Sequence, residues 1–173
     1  RGPADPAVIE AKLRGDRDQS IKAVLATHNE TATGVRSDLK AIRESIDQAG
    51  HGALFFVDGV SSIASMDFQM DAWGIDAAVT GSQKGFMMPA GLAIVAVSEK
   101  AMEASKAADL PRFFFDFKQM EHMTDRGGFP YTPPMQLLAG LRHAIDLLVT
   151  EGLESIFSRH FRMAEGVRQA AAA

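Results

Sequence analysis

Apolar and polar positions follow two different periods along this chain, and their order predicts an architecture. Short apolar runs rich in β-branched residues, at Ile21–Thr27, Leu54–Val57, Ala77–Thr80 and Leu92–Val97, read as strands. Between and after them apolar residues recur at helical spacing. Leu39, Ile42 and Ile46 share one face of a helix that Ser37 can cap and Gly50 can stop. A further helix runs from Ser98, as its N-cap, through Ala107. From Met135 onward Leu137, Leu138, Leu141, Ile145 and Leu148 mark a long helix, and the Glu151-Gly152 break starts another near Leu153. Leu54–Val57 is continuously apolar, which predicts a central strand buried on both faces. Strands alternating with helices predict an α/β fold: a mainly parallel sheet with helices on both faces. Phe113–Phe117 and Asp125–Pro134 interrupt the pattern with aromatic and Pro/Gly-rich loop sequence, the kind of segment that often carries function.

Composition narrows the classes. With 46% apolar residues in 173, the chain can bury one sizeable core or one lobe of a larger domain. Net charge is −4 and no basic residues gather into a stripe, so nucleic acid is not an expected partner. The most apolar stretch, Gly85 to Val97, is broken by Pro89 and Gly91 and falls short of the roughly 20 residues that cross a bilayer, so no membrane is expected. The absence of cysteine excludes disulfides, thiolate metal sites and Cys nucleophiles and fits a reducing cytoplasm. Arg1 in place of an initiator Met, and an end at Ala173 within helical sequence, suggest an internal piece of a longer protein.

The chemistry concentrates where strands end, because ligands of open α/β sheets sit beyond the carboxyl ends of their strands. Asp58 follows Leu54–Val57, and Lys84 follows Ala77–Thr80 in Thr-Gly-Ser-Gln-Lys-Gly. A carboxylate and an amine at neighbouring strand ends would face one crevice, which suits a cofactor that needs a cation stabiliser at one end and an imine at the other. Each residue also has an ordinary reading. An Asp before Gly is commonly a turn residue bonded to its own backbone, and a Lys in a Gly/Ser loop is commonly a solvated charge. Phe86, Met87 and Met88 give Lys84 an apolar setting, which favours the neutral, nucleophilic amine. Gly85 after Lys84 breaks the P-loop pattern, no dinucleotide fingerprint is present, and Ser61, Ser62 and Ser82 lack the frame of a serine-hydrolase elbow. His28 with Glu30 is one weak metal pair; His51, His122, His143 and His160 are scattered and read as surface or packed histidines.

The segments Thr27-His28-Asn29-Glu30-Thr31-Ala32-Thr33-Gly34, Val57-Asp58-Gly59-Val60-Ser61-Ser62, Gly74-Ile75-Asp76 and Gly81-Ser82-Gln83-Lys84-Gly85, in this order and spacing, resemble class V aminotransferases dependent on pyridoxal 5′-phosphate. The closest likeness is to the serine/alanine–glyoxylate aminotransferase group. The resemblance implies the large domain of a fold-type I transferase over residues 1–150, with 151–173 starting the helix toward a small C-terminal domain. It implies Lys84 as the Schiff-base lysine and proton-transfer base, Asp58 at the pyridinium nitrogen, Gln83 at the phosphate and Thr31 on the phenolic-oxygen side. Thr132, in Tyr131-Thr132-Pro133-Pro134, resembles the residue that reaches the phosphate of the partner subunit, implying a homodimer with composite sites. Phe129 stands where the alanine–glyoxylate enzymes carry a Tyr, so that hydroxyl is missing here. The family's upstream Ser-Gly phosphate loop and ring-stacking aromatic, and its downstream carboxylate-binding arginine, have no counterpart in these residues, so this piece alone is expected to be inactive.

The implied reaction is transfer of an amino group from serine, alanine or aspartate to glyoxylate. A class V lyase, such as a cysteine desulfurase or a kynureninase-like enzyme, is the alternative; desulfurases usually place His directly before the lysine, where this chain has Gln83. A subunit that keeps the fold without the cofactor is the non-enzymatic alternative, and Asp58, Gln83 and Lys84 together argue against it.

Overall fold

The computed structural model describes residues 2–173. Four strands, β1 (Ala23–Thr27), β2 (Leu54–Asp58), β3 (Ala77–Gly81) and β4 (Ala93–Val97), form one sheet in the order β1-β2-β3-β4. The first two pairings are parallel and β4 returns antiparallel to β3. The register places Thr27 beside Asp58 and Asp58 beside Val79, so β1 and β2 end level and β3 runs two residues further, to Gly81. The predicted Ile21–Thr27 run begins its pairing two residues later, at Ala23.

Among the described residues six helices follow the chain order: α1 (Pro6–Gly15), α2 (Leu39–Gln48), α3 (Glu99–Lys106), α4 (Phe117–Thr124), α5 (Met135–Glu151) and α6 (Leu153–Ala172). The parallel step from β1 to β2 is made through α2, whose Leu39, Ile42 and Ile46 are buried against Phe55, Val57 and Ala78. Complete burial of side chains such as Ile42, Ile46 and Phe55 stabilises the fold by about 1.5–3 kcal/mol each. Leu13 of α1 joins the same cluster. The expected α2 cap, Ser37, is not the cap: its backbone N–H donates to the His28 carbonyl at 2.8 Å in the loop leaving β1. Asp38, one residue on, accepts from the Ala41 N–H at 2.9 Å instead. Gly50 does stop the helix, with φ of 63° just beyond the last turn.

β2 lies in the middle of the sheet with Phe55 and Val57 buried, while Leu54 and Phe56 are half-buried. Thus only one of its faces is fully covered. On the other face Leu25 is 76% exposed, with Val79 and Val95 also exposed beside it, and Phe117 from α4 lines the same hollow. Ser98 caps α3 as expected and donates its hydroxyl to Asp76 at 2.9 Å. The other Asp76 oxygen accepts the Phe55 N–H at 2.9 Å and lies 3.6 Å from Lys100. This buried carboxylate therefore joins β2, the entry to β3 and the start of α3. At the N-terminal side His51 Nδ1 accepts from the Ala53 N–H, so its Nε2–H faces Asp16 at 3.2 Å. The Ile21 N–H and the Ser20 hydroxyl also bind Asp16 and hold its carboxyl down at about 2. No described helix is long and apolar enough to cross a membrane.

Candidate active site

The strand ends project two loops and one turn toward one region. Beyond β1, Asn29–Gly34 folds back on itself: the Glu30 N–H donates to the Val35 carbonyl and the Gly34 N–H to the Glu30 carbonyl. Beyond β2, residues 59–65 form a tight turn, with the N–H groups of Ser62 and Ile63 donating to the Gly59 carbonyl. Beyond β3 runs the Ser82–Pro89 loop that carries Gln83 and Lys84. Its base is fixed by the fully buried Ser82, which donates its hydroxyl to the Pro89 carbonyl at 2.7 Å and accepts from the Leu92 N–H.

The Lys84 loop sits directly on the turn that follows Asp58. A Cβ on Gly85 would lie 2.2 Å from the Ile63 carbonyl oxygen and 2.9 Å from the Ser65 hydroxyl, so only glycine permits this approach. Of the three non-glycine residues with positive φ among the described residues, two flank the junction, Ala64 at 66° and Met87 at 58°. Backbone held in this sparsely populated region tends to concentrate at functional sites.

The candidate residues distribute over two hollows. Lys84 and Thr31 line one of about 410 Å³ together with Asn29, Glu30, Ser61 and Ser65. Asp58 lines the other, about 520 Å³, on the open sheet face with Thr27, Phe56 and Val79. Its Oδ1 accepts from the Val60 N–H at 2.9 Å, so the turn-residue reading holds for that oxygen. Among the described residues nothing engages Oδ2. Gln83 is exposed and folds its amide back over Gly81, whose added Cβ would meet the Gln83 carbonyl oxygen at 2.7 Å. Thr132 is exposed in the segment between α4 and α5 and lines neither hollow.

The sequence assigned no binding role to two further residues here. Ser61 places its hydroxyl oxygen 2.6 Å from that of Thr31, across 30 positions of sequence. His160 of α6, read above as a surface or packed histidine, lines the Lys84 hollow. Its Nδ1 lies 2.9 Å from the Ile156 carbonyl, which can only accept, so Nδ1 donates this bond. No local sequence signal marks either residue, since both reach the site through tertiary packing.

His28 is packed against Phe68 and Trp73, with ring centroids at 5.8 and 6.0 Å, and no cluster of three ligand-type side chains occurs among the described residues. Burial, assisted by the Arg36 charge, lowers the His28 pKa to about 4. The ring is therefore neutral at pH 7, and its Nδ1 is buried without a partner.

Residues 5–170 match the aminotransferase class-V family. The chain is 58% identical to the L-aspartate–glyoxylate aminotransferase of Paracoccus denitrificans, over 97% of its own length and 42% of that protein. It is 50% identical to the serine–glyoxylate aminotransferase of Methylorubrum extorquens, over 98% of this chain and 44% of the relative. Among solved structures, pyridoxamine-pyruvate aminotransferase from Mesorhizobium loti superposes with a TM-score of 0.83 at 31% identity, covering 92% of this chain and 40% of that one. The chain thus belongs to the class-V aminotransferase family, with the fold of its pyridoxal-phosphate enzymes, and spans less than half the length of these relatives.

Family membership implies pyridoxal 5′-phosphate as the cofactor. That group calls for an amine to bond its aldehyde, a carboxylate for its ring nitrogen, and donors for its phosphate and phenolic oxygens. Lys84, the Oδ2 of Asp58, and the hydroxyls of Thr31 and Ser65 supply these types within three adjoining strand-end segments. The residues present fit the group.

Proposed function

We propose that the whole protein is a pyridoxal-phosphate-dependent transaminase that moves the amino group of a small amino acid, serine, alanine or aspartate, to glyoxylate. The observation that carries this reading is the seating of the Lys84 loop, through Gly85, on the turn that follows Asp58. Two relatives over 40% of whose length this chain covers are named for glyoxylate as the partner of aspartate and of serine, which supports the choice of acceptor.

Within that reading Lys84 bonds the cofactor through its amine. The same amine, when not bonded to the cofactor, would serve as the base that takes and returns the proton at the substrate α-carbon. The Asp58 carboxylate, oriented by the Val60 N–H that donates to its Oδ1, would keep the cofactor's ring nitrogen protonated. When bound, the cofactor supplies the electron sink for the carbanion formed at the α-carbon. Thr31 donates on the phenolic-oxygen side, Gln83 binds the phosphate, and Thr132 reaches the phosphate in the partner subunit of a homodimer. Residues 1–150 belong to the large cofactor-binding domain, and 151–173 begin the helix toward a small domain.

The test is an assay of the whole protein with glyoxylate against serine, alanine and aspartate. Glycine should form with the oxo acid of at least one donor. No glycine from any of the three would sink the reading.

A further inference from the structure

The mutual contact of Thr31 and Ser61 is the feature that the reading above leaves unused. The two hydroxyl oxygens are 2.6 Å apart, at the short end of O–H···O bonds, and both border the hollow that contains Lys84. Thr31 is exposed, and the loop that carries it is otherwise held by bonds internal to residues 29–36. Ser61 is half-buried in a turn anchored on Gly59, whose own N–H donates to the Val79 carbonyl of β3 at 2.9 Å. The pair is therefore a bond from an exposed loop residue to a turn fixed on the central strands. Two hydroxyls carry two protons, and their bond uses one; the other remains free to be donated outward. If Ser61 donates inward, Thr31 keeps its proton for a ligand oxygen and donates it more strongly, since a hydroxyl that accepts one bond is polarised to give another.

We infer that Ser61 is a positioning residue, which orients the Thr31 hydroxyl toward the cofactor and acts on cofactor binding only through Thr31. The inference rests on the proposed role of Thr31. Without Ser61 the Thr31 side chain is released among its staggered rotamers and binding must order it again.

The experiment uses the whole protein freed of cofactor and titrated with pyridoxamine 5′-phosphate, whose amine cannot bond Lys84, so that the dissociation constant reports the non-covalent contacts alone. Ser61→Ala should weaken binding by about three- to tenfold, the worth of one net hydrogen bond. Thr31→Val, which keeps the shape and removes the hydroxyl, should weaken it at least as much. The double variant should bind no more weakly than Thr31→Val, and Ser61→Thr should restore affinity to within about twofold of wild type, in line with a single retained bond. Additive losses in the double variant, or a Ser61→Ala protein that binds like wild type while Thr31→Val does not, overturn the relay and leave the role of Thr31 standing. A Thr31→Val protein with unchanged affinity overturns both.

Discussion

Gly85 lies against Ile63 so closely that a single added carbon would sit 2.2 Å from the Ile63 carbonyl oxygen. The clash is with backbone in a turn whose Ala64 already has a positive φ, so neither side can yield by rotating a side chain. Gly85→Ala should therefore cost about 1–3 kcal/mol, the range for overpacking a close contact, and should displace Lys84 from the turn. Paired measurements of melting temperature and cofactor content check it. An alanine variant with wild-type values for both would show that the loop does not need this seat.

Lys84→Ala should abolish the imine absorption band and lower turnover by several orders of magnitude, because one substitution removes both the bonding amine and the proton carrier. Borohydride reduction of the wild type should fix the cofactor to the peptide that contains Lys84. The nearest lysines along the chain are otherwise occupied: Lys100 lies 3.6 Å from the buried Asp76, and Lys106 is bound by Glu103, which raises its pKa. A label found on either of them would refute the assignment.

His28 makes stability depend on acid pH. Its folded pKa of about 4 lies below the ordinary 6.5, so between those values the unfolded chain binds a proton that the native ring does not. The contribution is complete above pH 6.5 and is lost as pH falls toward 4, with the Asp67 and Asp38 charges opposing the shift and Arg36 reinforcing it. At pH 5.5 the penalty should be on the order of 1 kcal/mol relative to pH 7.5. Thermal melts across that range should fall more steeply for wild type than for His28→Gln. Parallel curves would place the acid sensitivity elsewhere.

The parts of this site that lie within a few residues of a strand end were legible, and those that depend on packing between distant segments were not. Asp58 and Lys84 stand out because each follows an apolar run, and the structure places both at the carboxyl ends of β2 and β3. Their distribution over two hollows follows from side-chain direction at the end of β2, which alternation fixes only once the register is known. The Thr31–Ser61 contact spans 30 residues and exists because β1 and β2 end level, a fact of pairing rather than of local pattern. Among the helices, α2, α3, α5 and α6 carry clear signals. α1 starts at an Asp5-Pro6 cap signal but buries only Leu13, and α4 buries no residue at all, so neither imposes an apolar period strong enough to read. The shift of the α2 cap from Ser37 to Asp38 has a similar origin, since the backbone of Ser37 is claimed by the exit from β1.

Thr132 tests the assembly, because it is exposed and borders neither hollow of its own chain, as a residue serving a neighbour's site would be. If it reaches the phosphate of the partner subunit, each dimer has two composite sites and neither is complete within one chain. Lys84→Ala should then eliminate activity in its homodimer, and Thr132→Ala should reduce it several-fold through weaker phosphate binding, about 1 kcal/mol for one lost hydrogen bond. Refolding the two variants together produces heterodimers in which one site has Lys84 from one chain and Thr132 from the other, both intact, while the second site carries both lesions. Activity per heterodimer should rise above that of either parent, toward half of wild type. Measured under limiting cofactor, where the Thr132 lesion is most costly, the gain should be largest; at saturating cofactor it should shrink. A mixture that contains heterodimers yet shows only the mean of its two parents would assign Thr132 to its own chain and return residues 125–134 to the role of a surface connection.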